Sequence, residues 1–129
     1  MKTIFAIALF SFISAFITGC SDSKNDSPIA PIDTTVKITF LELGSEGCKP
    51  CEDMEPVLDS IRKKYGSQIL VKFIDVIKNA REAARYKIEA MPTQVFLDTN
   101  QQEIHRHVGF YHEDSIHVFL AKRGLKRIM

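Results

Sequence analysis

The chain has 129 residues, of which 45% are hydrophobic, so a single globular domain with one core is expected. Seventeen basic and 16 acidic residues give a formal net charge of +1, and no basic stripe stands out. The composition therefore gives no argument for nucleic acid binding, and it favours partners that are recognised by shape rather than by charge.

The N-terminal segment is typical of an export signal. After Lys2, residues 4–17 are apolar apart from two serines. A run of this length fits the h-region of a secretory signal and is short for a membrane-spanning helix. The sequence ITGC at 17–20 follows, and it resembles the lipobox of bacterial lipoproteins, in which the cysteine is lipidated and becomes the mature N-terminus. A plain signal peptide with a chance cysteine is the alternative.

The chain is accordingly divided into three parts. Residues 1–19 are predicted to be a lipoprotein signal peptide, with Cys20 as the lipidation site and membrane anchor. Residues 20–35 are rich in Ser, Asp and Pro and show no apolar period, which is typical of a flexible tether. Residues 36–129 form the predicted folded domain. We expect it to be lipid-anchored to a bacterial membrane and to face the periplasm or the cell exterior.

Strands and helices alternate through this domain. In chain order the patterns predict a strand at 36–43, a helix at 51–65, a strand at 69–77, a helix at 79–88, strands at 93–98 and 102–109, and a last helix beginning near Asp114 or Ser115. Strands joined by helices are expected to run parallel, and the last two, joined by a short turn, to form a hairpin. The order predicts an α/β fold with a central mixed four-stranded sheet flanked by helices.

The first helix carries its apolar residues at helical spacing. These are Cys51, Met54, Val57, Leu58, Ile61 and Tyr65. Gly66 is expected to end the helix. Pro56 lies inside it and is expected to kink it, because proline lacks an N–H and clashes with the preceding turn.

Cys48 and Cys51 form a CxxC motif where the first strand gives way to this helix. The free N–H groups at a helix start stabilise a thiolate at Cys48, and Lys49 adds positive charge nearby. Cys51, one turn further on, is expected to be more buried and to have a higher pKa. Pro50 suits a first-turn helix position.

Two other uses of the cysteine pair compete with redox chemistry. Zinc needs four ligands, and the chain could add imidazoles to the two thiolates from His105, His107, His112 and His117. The long gap to these histidines carries little spacing information. A structural disulfide would close only a short loop and so remove little unfolded-state entropy. Redox use is favoured, and neither a metal nor a cofactor is expected.

The element order and three motifs together resemble the thioredoxin family. Cys48-Lys49-Pro50-Cys51 is similar to the active-site tetrad, Pro56 to the helix proline, and Met91-Pro92-Thr93 to the segment that holds a cis-proline. Gly109 falls near a family glycine on the last strand. The resemblance covers roughly residues 36–124 and implies a thioredoxin-like fold and thiol–disulfide oxidoreductase activity.

The resemblance also implies roles for individual residues. Cys48 would attack a substrate disulfide, and Cys51 would resolve the mixed disulfide. Met91, before a cis Pro92, would present its backbone to an extended substrate segment, with Lys49 and Pro50 also bordering the substrate. An ordinary trans loop proline is the alternative at position 92.

Glu42 lies six residues before Cys48, where thioredoxins commonly have a buried acid that accepts a proton from the resolving cysteine. Between Leu41 and Leu43 it is expected to be buried, with a raised pKa. A glutamate facing solvent at the strand end is the alternative. Lys72, on the neighbouring strand, is a candidate partner for its charge.

The sequence departs from the thioredoxin pattern around the tetrad. Gly47 replaces the usual Trp, the chain has no Trp at all, Lys49 replaces a common Gly, and four acids surround the motif, namely Glu46, Glu52, Asp53 and Glu55. The expected function is reduction of partner-protein disulfides, or electron relay from a membrane thiol donor, by a monomer. A disulfide-forming oxidant or isomerase is the alternative.

Overall fold

The computed structural model describes residues 35–128. The predicted signal peptide, the lipidation site Cys20 and nearly all of the tether lie outside the described residues. No helix within 35–128 is both long and apolar enough to cross a bilayer.

The described residues form a four-stranded mixed sheet with helices against it, as predicted. The strands lie in the order β2-β1-β3-β4. The elements are β1 (Ile38–Gly44), α1 (Lys49–Glu52), α2 (Glu55–Tyr65), a 3-10 turn (Gly66–Gln68), β2 (Ile69–Asp75), α3 (Ala80–Arg85), β3 (Thr93–Leu97), β4 (Glu103–Val108) and α4 (Glu113–Lys122).

Strand direction follows the prediction for two of three neighbouring pairs. β1 and β2 are parallel, and β3 and β4 form the expected antiparallel hairpin. β3 is antiparallel to β1, so the expectation of a parallel strand after each helix is wrong there. The reason is length: the six residues of α3 advance about 9 Å, whereas a seven-residue strand covers about 23 Å. The chain therefore starts β3 at the end of the sheet where β2 finished.

Pro56 breaks the first predicted helix rather than kinking it. The helix divides into α1 and α2, and Pro56 lies in the first turn of α2, where a missing N–H costs no helical hydrogen bond. The predicted apolar face is nonetheless continuous across the break, since all six of its residues are buried. Gly66 follows the last residue of α2, with a positive φ of 54°, as expected for a helix-ending glycine.

The sheet separates two cores. On one face, α2 and α4 pack over a cluster centred on the stacked rings of Phe40 and Phe96, whose centroids are 4.3 Å apart. The opposite face is smaller, with Ala83 and Ile88 packing near a cluster of buried aliphatic side chains, Leu41, Leu43, Val76, Val95 and Leu97. Successive residues of β1 alternate between the two cores, and this alternation decides which side chains of β1 can meet the cysteines.

One further expectation about the helices is wrong. The last helix begins at Glu113 with His112 as its N-cap, ahead of the expected Asp114 or Ser115.

Candidate active site

Cys48 and Cys51 are joined in a disulfide at the start of α1, with their Cα atoms 5.2 Å apart. Cys48 is the N-cap of α1, and its backbone carbonyl accepts hydrogen bonds from the N–H groups of Cys51 and Glu52 at 2.9 and 3.0 Å. Cys51 is only 3% exposed, whereas Cys48 is partly accessible. A disulfide partner approaching from solvent therefore reaches the Cys48 sulfur first.

The Cys51 side chain packs directly against the backbone of Gly44. A Cβ added to Gly44 would lie 2.8 Å from the Cys51 sulfur and 3.2 Å from the Phe73 ring. Real Cβ atoms are essentially never this close to a neighbour, so a side chain here would displace the sulfur or the ring. The last residue of β1 must therefore be glycine for the cysteine pair to pack against the end of the sheet.

The loop between β1 and α1 is tied to the end of β2. Asp75 accepts hydrogen bonds from the backbone N–H groups of Lys78 at 3.0 Å, Ile77 at 2.9 Å and Glu46 at 3.4 Å. These N–H donors, that of Lys78 foremost, hold the pKa of the Asp75 carboxyl below its usual range. The Lys78 ammonium also pairs with Glu46 at 2.6 Å. Two strand ends thus position the loop that precedes Cys48.

Gly47 has a positive φ of 75°, and a Cβ there would meet no atom within 4 Å. The position next to Cys48 is therefore open on its outer side. Beside it lies an open groove of about 360 Å³, lined by Ser45, Glu46, Gly47, Cys51, Glu52, Glu55 and Phe73.

Lys49 and Pro50 lie exposed on the outer side of α1. The Lys49 ammonium pairs with Asp53 one turn on, and this hydrogen bond raises the pKa of Lys49. Its charge is therefore offset locally, which limits how far Lys49 can stabilise a thiolate at Cys48.

The Met91–Pro92 peptide bond is cis. The Pro92 carbonyl accepts a 2.7 Å hydrogen bond from the Gly109 N–H, and Thr93 Oγ1 donates to the Ala90 carbonyl at 2.7 Å. Pro92 is buried, whereas Met91 is 38% exposed. These two hydrogen bonds hold residues 90–93 in place, while the Met91 side chain faces solvent.

Glu42 is fully buried, on the face of β1 that also carries Phe40 and Gly44. Burial raises the pKa of its carboxyl to about 8, the Gln94 side chain lowers it, and the negative charge of Glu55 raises it further. Gln94 lies opposite Glu42 on β3, and its Nε2 donates to Glu42 Oε1 at 3.3 Å. The solvent-facing alternative for Glu42 is therefore wrong.

Lys72 does not pair with Glu42, so that expectation is wrong. It lies opposite Leu41 in the parallel ladder, and the residue opposite Glu42 is Phe73. Because side chains alternate along a strand, Lys72 points to the opposite face of the sheet from Glu42, where it is exposed.

Three of the four histidines contact side chains other than the cysteines. His105 Nε2 and the Tyr111 hydroxyl are hydrogen-bonded at 3.0 Å, His107 stacks on Tyr111 with ring centroids 4.1 Å apart, and His117 bonds to Glu113 at 3.0 Å. Over residues 35–128 no three His, Cys, Asp or Glu side chains gather as metal ligands would. The geometry gives the metal-site reading no support.

Two residues of this site were missed by sequence reasoning. Gly44 carried a weak signal, as a glycine closing a buried strand, which often marks close approach of another group. Gln94 carried a clearer one, because its amide lies within the fully buried run TQVFL.

The thioredoxin family model matches residues 23–122. Among curated relatives, Thioredoxin-1 of Drosophila yakuba is 39% identical over 66 residues, which are 51% of this chain and 62% of that protein. Among solved structures, the germline-specific thioredoxin Deadhead of Drosophila melanogaster has a TM-score of 0.61 at 35% identity, over 67% of this chain and 80% of that one. A mutant thioredoxin from Halobacterium salinarum, 23% identical with a TM-score of 0.61 over 67% of this chain and 74% of that one, is similar in fold alone.

The fold and the site define a CxxC protein of the thioredoxin type. The match over most of its length means that the chain belongs to the thioredoxin family. It spans 62% of the length of the two Drosophila thioredoxins that it matches in sequence. The family match and the Cys48–Cys51 disulfide are the two findings on which a proposal of thiol–disulfide oxidoreductase activity rests.

Proposed function

We propose that this protein is a membrane-anchored, extracytoplasmic thiol–disulfide oxidoreductase that reduces partner-protein disulfides or relays electrons to them. The observation that carries the proposal is the unequal exposure of the Cys48–Cys51 disulfide at the start of α1, with Cys51 3% exposed and Cys48 accessible. An attacking sulfur must be reached by the partner, and a resolving sulfur is best protected from it.

Reduction of a partner proceeds in two exchanges. The Cys48 thiolate attacks one partner sulfur, so that a mixed disulfide forms, the partner S–S bond breaks and one partner thiolate leaves. The Cys51 thiolate then attacks the Cys48 sulfur, forms the Cys48–Cys51 disulfide and releases the second partner thiolate. Two electrons pass to the partner, and a dithiol donor in the membrane returns them to the cysteine pair.

Glu42 serves as the proton acceptor for Cys51. It lies two positions before Gly44 on the same face of β1, about 7 Å along the strand from the residue against which the Cys51 sulfur packs. The proton passes to the carboxylate directly or through one water. A pKa of about 8 lets the buried carboxylate take up a proton near neutral pH.

The partner binds as an extended segment beside Met91. The hydrogen bond from the Gly109 N–H to the Pro92 carbonyl holds the chain around Met91 in place, and the exposed Met91 side chain offers apolar contact. Lys49 and Pro50 border the same approach from α1. The acids Glu52 and Glu55 line the groove beside Cys51.

Support for export and anchoring comes from the sequence. The apolar run at 4–17, the lipobox-like ITGC and the polar segment after it together suit a lipidated Cys20 with the domain on a tether. In the native host, Cys20→Ala should abolish acyl labelling and release the protein from the membrane fraction. Retention of the acyl label in Cys20→Ala would refute the anchor.

Redox direction is tested by equilibrating the Cys48–Cys51 pair with glutathione and dithiothreitol. A potential near −270 mV, about that of a reductant, is expected, and a value near −120 mV, about that of a strong oxidant, would make the protein a disulfide former.

Residue roles are tested by trapping. Cys51→Ser should accumulate mixed disulfides with partner proteins, visible on non-reducing gels and lost on reduction. Cys48→Ser is the matched control and should trap far less, because the remaining sulfur is buried. Equal trapping by the two variants would overturn the assignment of Cys48 as the attacking residue.

A further inference from the structure

Glu42 and Gln94 form an isolated polar pair inside the sheet face that carries the cysteines. Both side chains are fully buried, they lie directly opposite each other on β1 and β3, and Gln94 Nε2 lies 3.3 Å from Glu42 Oε1. On the same face of the sheet the next residues along the two strands are Phe40 and Phe96, whose rings stack on each other. Glu42 thus depends on Gln94 for the hydrogen bond that satisfies Oε1.

Each member of the pair also has one unsatisfied atom. Across the described residues, the buried side-chain N and O atoms without a hydrogen-bond partner are Glu42 Oε2 and Gln94 Oε1. Buried polar atoms are rarely left unpaired, and each such atom calls for an explanation. Here one proton accounts for both: on Glu42 Oε2 it creates an O–H donor, and Gln94 Oε1 is the free acceptor in the same pair.

A carboxamide is suited to both protonation states of a buried carboxyl. Its N–H donates to the carboxylate, and its carbonyl accepts from the carboxylic acid. An apolar residue at position 94 would leave Glu42 unpartnered in either state, and an ionised group buried without a hydrogen bond is strongly disfavoured.

We propose that Gln94 is a positioning residue that hydrogen-bonds Glu42 in both protonation states and thereby sets the pH at which Glu42 exchanges its proton. The consequence for turnover rests on the proposed function, in which Glu42 accepts the proton of Cys51. The pairing itself does not rest on it.

Several other groups face this pair and bear on its titration. Glu55 approaches from α2, and its negative charge opposes ionisation of Glu42. Cys51 approaches from α1 by way of Gly44. On the neighbouring strands, Phe73 lies opposite Glu42 on β2, and His107 lies opposite Gln94 on β4. Gln94 is the group that hydrogen-bonds the Glu42 carboxyl.

The direction of the effect follows from what is left when Gln94 is removed. Neither state of Glu42 then has a hydrogen bond from position 94, and an unpartnered buried carboxylate costs far more free energy than an unpartnered buried carboxylic acid. Removing the amide should therefore raise the pKa of Glu42 above its value of about 8. The expected size is about tenfold in proton affinity, or roughly one pH unit.

The test is a pH titration of the Glu42 carboxyl carbon by ¹³C NMR, with Glu42→Gln identifying the signal. Gln94→Met keeps the length and bulk of the side chain and removes both polar atoms, and Gln94→Leu repeats the test should the methionine variant not fold. Phe96→Leu is the matched control: it lies two residues further along the same face of the same strand, and it disturbs packing while leaving every polar atom of the pair in place. The rate of partner release is followed against pH in the same variants.

A Glu42 midpoint about one unit higher in Gln94→Met, and unmoved in Phe96→Leu, supports the proposal. A midpoint that stays in place or falls overturns it, whatever the rate does. If the midpoint rises but the pH profile of partner release does not follow it, the pairing stands and the assignment of Glu42 as proton acceptor in the proposed function fails.

Discussion

Two glutamates in different regions of the domain have opposite chemistry. Glu42, inside the sheet near the cysteines, has one hydrogen bond from a neutral amide, and burial raises its pKa to about 8. Glu113, at the start of α4, accepts at a single oxygen from Ser60 at 2.6 Å and Lys64 at 2.7 Å, and bonds to His117 at 3.0 Å. The Lys64 ammonium and then the Ser60 hydroxyl lower its pKa to about 2.

The difference between the two pKa values shows how hydrogen-bond donors stabilise an ionised carboxylate. Where a cation and a hydroxyl surround it, the charge is stable and the group links two helices, here α2 and α4. Where the only hydrogen-bond donor is a neutral amide and the surroundings are apolar, as at Glu42, the ionised carboxylate is unfavourable. The carboxyl group can then gain or lose its proton near neutral pH. The first arrangement favours stability, and the second favours function at the expense of stability.

Glu42→Gln should produce the largest change. Below pH 4.5 the carboxyl is protonated in both the folded and the unfolded chain, so the variant and the wild type should be equally stable. As pH rises towards about 8, the unfolded chain loses the proton while the folded chain retains it, and the wild type becomes less stable. The variant should therefore be more stable by about 4 kcal/mol at pH 8, measured by denaturant unfolding. If the stability difference between Glu42→Gln and the wild type does not change with pH, the pKa of Glu42 is not raised in the folded chain.

Gly44→Ala should produce the next largest change, since its Cβ would lie 2.8 Å from the Cys51 sulfur. Forcing an extra carbon into a packed site costs about 1–3 kcal/mol, which urea unfolding of the oxidised protein would measure. Ser45→Ala is the control on the next residue, since it adds no atom. An unchanged midpoint for Gly44→Ala would mean that the sulfur does not rest on β1.

Glu113→Gln should destabilise the domain by about 1–2 kcal/mol at neutral pH, because the charge-assisted bonds to Lys64 and Ser60 weaken. This is less than the pKa alone suggests, because the side chain is 29% exposed and solvent screens the charge. The contribution is present above pH 4.5 and is lost as pH falls through about 2, so wild type and variant should converge there. Asp59→Asn, in an exposed pair with Arg62, is the control and should leave the unfolding midpoint in place. If Glu113→Gln is still less stable than the wild type at pH 2, the stabilisation does not come from the ionised carboxylate.

Lys49→Ala should have the smallest effect. Its partner Asp53 and the ammonium are both largely exposed, and surface ion pairs contribute little to stability. The unfolding midpoint should stay within measurement error, and Asp53→Ala should behave alike. If Lys49→Ala lowers the free energy of unfolding as much as Glu113→Gln does, the Lys49–Asp53 pair beside the disulfide stabilises the fold more than its exposure implies.

Much of the site was predictable because it depends on short spacing. The CxxC tetrad before a helix with a buried second cysteine, the proline five residues on, and the carboxylate between two leucines are all local patterns, and local patterns survive folding. Lys72 was assigned wrongly because the register between strands is a tertiary property. A shift of one residue moves a side chain to the other face of the sheet.

The sequence by itself determined the alternation of strands and helices, the apolar face that packs them and the cysteine pair at the first helix start, since each follows from periodicity and backbone chemistry within a few residues. Only the tertiary structure decided that β3 runs against β1, that Gly44 supports the Cys51 sulfur and that Gln94 meets Glu42. These three depend on which strands become neighbours and in what register, and that is fixed by the packing of residues far apart in the chain.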